Sequence, residues 1–340
     1  MRKSLTPSCL IIAAMFGIAS FAIHADENMR GEAFSDPDYI KAMPEAWQQQ
    51  QIEHPQHKDA DLVIALGQQT YPALHRFLEE LAAKKGLKVV VQEGSCGVTA
   101  RKLSGKTADI GAYCCPPGRT DRLPGLEFHT IGIASIALVT HPDNPLEDVS
   151  EDVARRIFTG EYVRWSEVPA IEKPQLFDKQ IQPVARLHCK KRPGHWRLLL
   201  KNEDLFSPRV YEVGVIPDMI KQVAENPAAI GFETLYMLEV YKKNGTLKAL
   251  SIDGNRPDDF SKLLHGDYPL YRTYSLTTWA GNTKRNELAR AFVKEVMAHI
   301  ETHHQKYGFV PVSALRKAGW KFKGEELISA PDGSHLVHEH

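Results

Sequence analysis

Apolar residues recur along this chain with two periods, and the alternation between them lays out the fold. Residues 61–66 (DLVIAL) are a short apolar run of strand type, and 67–70 form a turn. Over 71–86, Leu74, Phe77, Leu78 and Leu81 fall on one face at helical spacing, and Gly86 supplies a C-cap. Residues 87–91 read as the next strand, 94–97 as a turn, 98–103 as a short helix and 108–113 as a third strand. Strands alternating with helices predict a parallel α/β sheet. In such sheets ligands bind beyond the carboxyl ends of the strands, where helix N-termini point N–H groups outward. Both turns, and the pair Cys114–Cys115, fall at that end.

The second half continues the alternation. Residues 128–140 (FHTIGIASIALVT) are longer than a typical strand, which predicts a crossing between two lobes. Helices are expected over 150–159, with Ile157 and Phe158 inward, and over 217–225 and 235–241. A further helix begins at Trp196. Strands are expected over 182–186, 229–232 and 247–252. Residues 268–278 (YPLYRTYSLTT) alternate as a return crossing, and 285–303 form a long helix with Leu288, Phe292, Val296 and Ile300 on one side. Residues 307–312 read as a terminal turn or strand.

Composition narrows the function class. The 340 residues are 43% hydrophobic and 25% charged, enough chain for two domains, and the formal net charge is zero. That balance offers no basic field for nucleic acid. Arg2 and Lys3, an apolar stretch over 9–22 and small residues at Ala22 and Ala25 read as a secretory signal peptide, 1–25. Polar residues 26–60 form an extension with one short helix around 44–51. An exported chain without Cys9 keeps Cys96, Cys114, Cys115 and Cys189.

The order of these motifs resembles the phosphate-binding family of periplasmic solute-binding proteins, the receptors of phosphate ABC importers. The resemblance runs through GQQTYPALHRFLEEL, GSCG with LSGKTADIGAYCCPP, IFTGEYVRWSEV, NPAAIGFETL, YPLYRTYSLTT and FVKEVMAHIETHHQKYGFVPV. It implies a two-lobed type II periplasmic binding protein fold, α/β, with the ligand cleft between lobes joined by two crossing strands. Lobe one would comprise 61–134 and 268–325 and lobe two 135–267, with a flexible histidine-containing tail at 326–340. The implied function is non-catalytic capture of a small phosphate-like oxyanion by a periplasmic monomer, without a cofactor, for delivery to an ABC permease. A ligand-sensing subunit for a membrane kinase is the related alternative.

The resemblance also implies site residues. Thr70 and Tyr71 match the family's first ligand loop, and Ser95 and Gly97 match the second. Arg186 matches an arginine at a strand end in lobe two. The family's Ser-Gly-Thr helix start reads Arg192-Pro193-Gly194-His195 here, so Gly194 and His195 take that place. An aspartate that accepts a phosphate proton is replaced by Cys114, with Cys115 beside it and Cys96 in the second loop.

The residues themselves leave the thiols open between three readings. Cys96 pairs in a disulfide with Cys114 or Cys115, with Cys189 in a second bond; or Cys96, Cys114, Cys115 and Cys189, with His129, His188 or His195 nearby, hold a thiophilic metal or metalloid; or the thiols are inert and buried. Arg186, Lys190, Lys191 and Arg192 crowd a helix start, which reads either as anion capture or as a solvated basic loop. Arg119 and Arg122 are candidates for the cleft border, whereas Arg101 and Lys102 read as surface residues. No nucleophile and base stand at catalytic spacing.

Overall fold

The computed structural model describes residues 34–187, 199–200 and 203–331. After a one-turn helix α1 (Glu45–Gln49), the first half runs β1 (Leu62–Gly67), α2 (Tyr71–Lys85), β2 (Val89–Gly94), α3 (Cys96–Ser104), β3 (Ile110–Tyr113) and the long β4 (Leu126–Thr140). The middle contains β5 (Asp148–Val149), α4 (Glu151–Thr159), β6 (Gln182–Ala185), β7 (Tyr211–Glu212), α5 (Ile216–Glu225), β8 (Ala229–Thr234), α6 (Leu235–Val240), β9 (Lys248–Ala249), β10 (Ser251–Ile252) and α7 (Phe260–His265). The chain closes with β11 (Tyr271–Trp279), α8 (Lys284–His303), α9 (Val312–Lys317), β12 (Lys321–Lys323) and β13 (Glu326–Ser329).

Local chemistry sets the element ends. Ser95, Ser150 and Thr283 accept backbone N–H groups at the starts of α3, α4 and α8. Gly86 and Gly160 close α2 and α4 in the left-handed region, at φ 66° and 83°.

The sheet order is β2-β1-β3-β11-β4-β8-β6-β7. β1 is parallel to both β2 and β3, and β6 is parallel to β8. The two parallel groups are joined by the antiparallel pair β4 and β11. β4 pairs with β11 from Leu126 to Ser135, then with β8 from Ile136 to Thr140, so one strand serves both halves. One core packs α2 and α8 around Leu62, Ile64, Leu66, Ile110 and Phe292. The other packs α4 and the Trp165 turn around Leu138, Ile157, Phe158, Ile230 and Phe232. Apolar burial of about 25 cal/mol per Å² at both cores is the main force holding the halves.

Gly132 lies where the crossing strand is bulged. The register shifts by one residue there, between the pairs Tyr274–Gly132 and Ser275–Thr130. Gly132 has φ 153°, and a Cβ would meet the Val310 carbonyl oxygen at 2.7 Å. Val310 makes a two-bond bridge with Ile133, which holds this close approach.

Residues 307–312, expected as a turn or strand, turn at Gly308 and bridge to Ile133 through Val310, between a one-turn helix and α9. Two stretches differ from their sequence-based reading. Residues 326–329, expected in the tail, form β13: Leu327 is buried, and its N–H reaches the Thr130 hydroxyl at 2.9 Å. The segment from Phe34 to Ala60, expected as an extension, is built into the fold. Phe34 is buried, and Trp47 donates to the Ser104 carbonyl and packs near Trp279. His54 lies 3.0 Å from the buried Asp109 and accepts from Arg285. The expected signal peptide lies outside the described residues.

Candidate ligand site at the facing strand ends

The carboxyl ends of both parallel groups meet at one place. The β1–β2 register ends at Gly67–Gly94, and continuing the β1–β3 pairing of Ile64 with Ile110 sets Gln68 level with Cys114. On the other side, β6 and β8 pair Gln182 with Ala229, which brings Arg186 and Glu233 level. Side chains confirm the meeting. Arg186 Nη2 donates to Glu233 Oε2 at 2.6 Å, and Arg186 Nη1 donates to Gln68 Oε1 at 3.3 Å. Gln69 Nε2 donates to Glu233 Oε1 at 2.5 Å. Gln69 Oε1 accepts from the hydroxyls of Thr234 and Tyr274, each at 3.3 Å.

This cluster is dry. Arg186 is 2% exposed and Glu233 0%. A buried ion pair is held by its complementarity; removing one partner leaves a stranded charge that costs about 3–5 kcal/mol. The Gln68–Gln69 turn of the first half is therefore bonded directly to the Arg186–Glu233 pair of the second.

The thiols lie against the same end of the sheet. Cys96, Cys114 and Cys115 are buried, and the Cys96 and Cys114 sulfurs are 3.5 Å apart. Arg272, fully buried on the crossing strand β11, donates to the Cys114 carbonyl at 3.5 Å and approaches its sulfur at 3.8 Å. Contact with Cys115 pulls the Cys114 thiol down, but contact with Cys96 and burial outweigh it and push it up to about 12. Hydrogen bonding from Cys114 and Cys96, together with burial, raises Cys115 well above the usual thiol range. Both are neutral S–H groups at physiological pH.

The sequence-derived residues divide as follows. Thr70 is buried in the turn, and both its N–H and its hydroxyl are given to the Gly67 carbonyl. Tyr71 opens α2 half-buried, stacked on His75 at 4.5 Å. Ser95 caps α3 through Val98, and Gly97 beside it is exposed. Cys96, Cys114, Cys115 and Arg186 come to the facing strand ends. His129 turns to Glu325 and Thr278 instead of to Cys114. Arg122 is held by Glu326 and Ser35, and Arg119 lies over the Tyr39 ring. Gly194, His195, His188 and Cys189, with Lys190, Lys191 and Arg192, lie outside the described residues. Among the described residues, no three His, Cys, Asp or Glu side chains are placed to hold a metal ion.

Sequence reasoning passed over Gln68, Gln69, Glu233, Tyr274 and Arg272. Arg272 carried a usable signal: a cation inside an otherwise apolar and hydroxylated crossing strand must be buried for a reason. Glu233, next to the Ala-Ile-Gly-Phe strand, carried the same one.

Comparison with known proteins agrees with this geometry. Residues 52–299 match the model of the PBP superfamily domain. The chain is 24% identical over 332 residues to the phosphate-binding protein PstS of Bacillus subtilis (strain 168), covering 93% of this chain and 97% of that protein. Among solved structures, it superposes on an ABC-type phosphate transport receptor from Vibrio cholerae with a TM-score of 0.58 at 18% identity, covering 73% of this chain and 99% of that one. A structure from Clostridium perfringens, described as a phosphate ABC transporter substrate-binding protein with bound phosphate, gives 0.61 at 19%, covering 74% and 99%. The family match over 52–299 includes strands from both halves of the sheet. The chain belongs to the PBP superfamily and has the two-lobed type II periplasmic binding protein fold.

Proposed function

We propose that this protein is an exported solute-binding protein that captures a small phosphate-like oxyanion between its lobes and presents it to an ABC-type importer without catalysis. The observation that carries this reading is the Arg186 guanidinium, buried at the carboxyl end of β6 and facing the Gln68–Gln69 turn of the other lobe. A guanidinium fork in a water-poor cleft matches an oxyanion in charge and geometry. Gln68 Oε1 accepts from Arg186 across the two halves, and an oxyanion oxygen could take over that bond. The relatives described as phosphate-binding support the ligand class.

Calorimetric titration with phosphate and sulfate tests the reading. Arg186→Gln combined with Glu233→Gln removes the cation without stranding the carboxylate. It should weaken oxyanion binding by roughly a hundredfold or more while the thermal transition stays cooperative. Unchanged affinity in that folded double variant would sink the reading.

A second reading, binding of a thiophilic metal or metalloid, has one observation in its favour: the contact among Cys96, Cys114 and Cys115. A soft metal would deprotonate the thiols it binds, but among the described residues no three His, Cys, Asp or Glu side chains are placed to hold one. The oxyanion reading therefore leads. Tight Cu(I) or arsenite binding by the reduced protein, with no oxyanion binding, would reverse that order.

A further inference from the structure

Away from the Arg186–Glu233 cluster, the lobes meet again at Tyr236. This side chain belongs to α6 and packs with Ile216, Ile220 and Met237 of its own lobe, and also against the core of lobe one. Its hydroxyl donates to the Pro72 carbonyl of α2, and its ring stands edge-on to Tyr307, centroids 5.6 Å apart at 75°. Tyr307 ends the one-turn helix His304–Tyr307. Behind it is His299 of α8, whose Nε2 lies 2.9 Å from the Tyr307 hydroxyl oxygen. The imidazole stacks with Phe77 of α2 at 3.9 Å and with His303, one turn on, at 4.5 Å.

The hydrogen bond has a direction. Tyr307 is 3% exposed, and among the described residues its hydroxyl has one acceptor, His299 Nε2. The hydroxyl therefore donates, and the neutral imidazole carries its hydrogen on Nδ1. A second proton, on Nε2, sets two donors face to face. The buried O–H must then turn from its acceptor, and the ring under Tyr236 loses its anchor. The surrounding groups resist that proton. Burial, then His303 and Lys306, hold His299 below the usual histidine range, against Glu80 of α2, which is itself paired with Arg76. Glu295, one turn earlier on α8, is paired with Lys85. Burial raises both Tyr307 and Tyr236, the latter to about 12, so neither ionises near neutrality. His299 thus supports the contact above the ordinary histidine value of 6.5, and the support is lost as pH falls below it.

We propose that the His299–Tyr307 pair is an acid-sensitive prop for the Tyr236 contact, so that the ligand-free lobes part more readily in acid than at neutral pH. The prop shares no residue with the Arg186–Glu233 cluster and works without a ligand, so it stands whichever ion the cleft takes.

Small-angle scattering of the ligand-free protein at about pH 7.5 and about pH 5 tests it. The wild-type radius of gyration should rise on acidification. His299→Gln gives Tyr307 an acceptor that does not titrate, and Tyr307→Phe removes the hydroxyl but keeps the ring. Both should keep the neutral-pH radius and lose the shift. Tyr236→Ala removes the propped contact and should be expanded at both pH values, with no further shift. His54→Gln, which titrates elsewhere in lobe one, should keep the wild-type response. A wild-type radius that stays constant over this range overturns the proposal. So does an undiminished shift in any of the first three variants that melts cooperatively. Should one of them not fold, the others decide.

Discussion

His54 and Asp109 show how single residues tune this fold against pH. His54 Nδ1 accepts from Arg285 at 2.9 Å, and its Nε2 lies 3.0 Å from Asp109 Oδ2, so the ring is a neutral Nε2–H tautomer. Burial, and then Arg285 and His57, lower His54 from 6.5 to about 4. Burial raises Asp109 from 3.8 to about 6, against an opposing hydrogen bond from Val63. The signs oppose. The His54 contribution is present above pH 6.5 and is lost as pH falls toward 4. The Asp109 contribution is present below pH 3.8 and is lost as pH rises through 6. Neither shift has the other residue as its main cause, so single variants should separate them. On acidification from neutral to about pH 4.5, relative to wild type, His54→Gln should gain stability and Asp109→Asn should lose it. Each change should be of the order of 1–3 kcal/mol, read from urea unfolding at both pH values.

The thiols give a second prediction at this scale. Cys114 titrates at about 12, so native protein should alkylate slowly at neutral pH and the denatured chain rapidly. Mass spectrometry after iodoacetamide, with and without denaturant, reads the difference. Rapid native labelling of Cys114 would contradict the burial argument.

Among the elements, β4 holds a glycine at a close backbone approach. It is the strand that both halves share, and its bulge stands against the bridge from Val310. Gly132→Ala must fit a Cβ where the Val310 oxygen lies at 2.7 Å, with a backbone conformation that disfavours side chains. It should cost about 1–3 kcal/mol or more in chemical denaturation. Gly86→Ala places a Cβ where nothing lies within 4 Å, and should cost only the left-handed penalty of about 1 kcal/mol.

The molecule as a whole is a closed pair of lobes bonded through glutamines. Gln68 meets Arg186, Gln69 meets Glu233 and Thr234, and the Tyr236 hydroxyl reaches the Pro72 carbonyl at 3.2 Å. Hinge closure in such folds is a balance of such contacts. Gln69→Ala removes the most connected of them, so small-angle scattering should report a larger radius of gyration for the ligand-free variant than for wild type. An identical radius would place the closing energy elsewhere.

How much of this was legible from the chain follows from where each signal resides. The parallel strands, the crossing over 128–140 and the long C-terminal helix are written in local apolar periodicity, which depends on near neighbours alone. The strand-end positions of Arg186, Cys96 and Cys114 followed from the same pattern, because ligand-facing loops sit at fixed ends of a parallel sheet. Residues 326–329 read as a tail because a short polar-flanked strand shows its role only when Thr130 and β12 are beside it. The joining of Gln69 to Glu233, 164 positions apart, and of Arg272 to Cys114, 158 apart, has no periodic trace in the sequence. The sequence by itself determined the alternating strands and helices and which strand ends carry the candidate loops. Only the tertiary structure decided which charges meet there, because an ion pair is set by distance in space and a hydrophobic face by spacing along the chain.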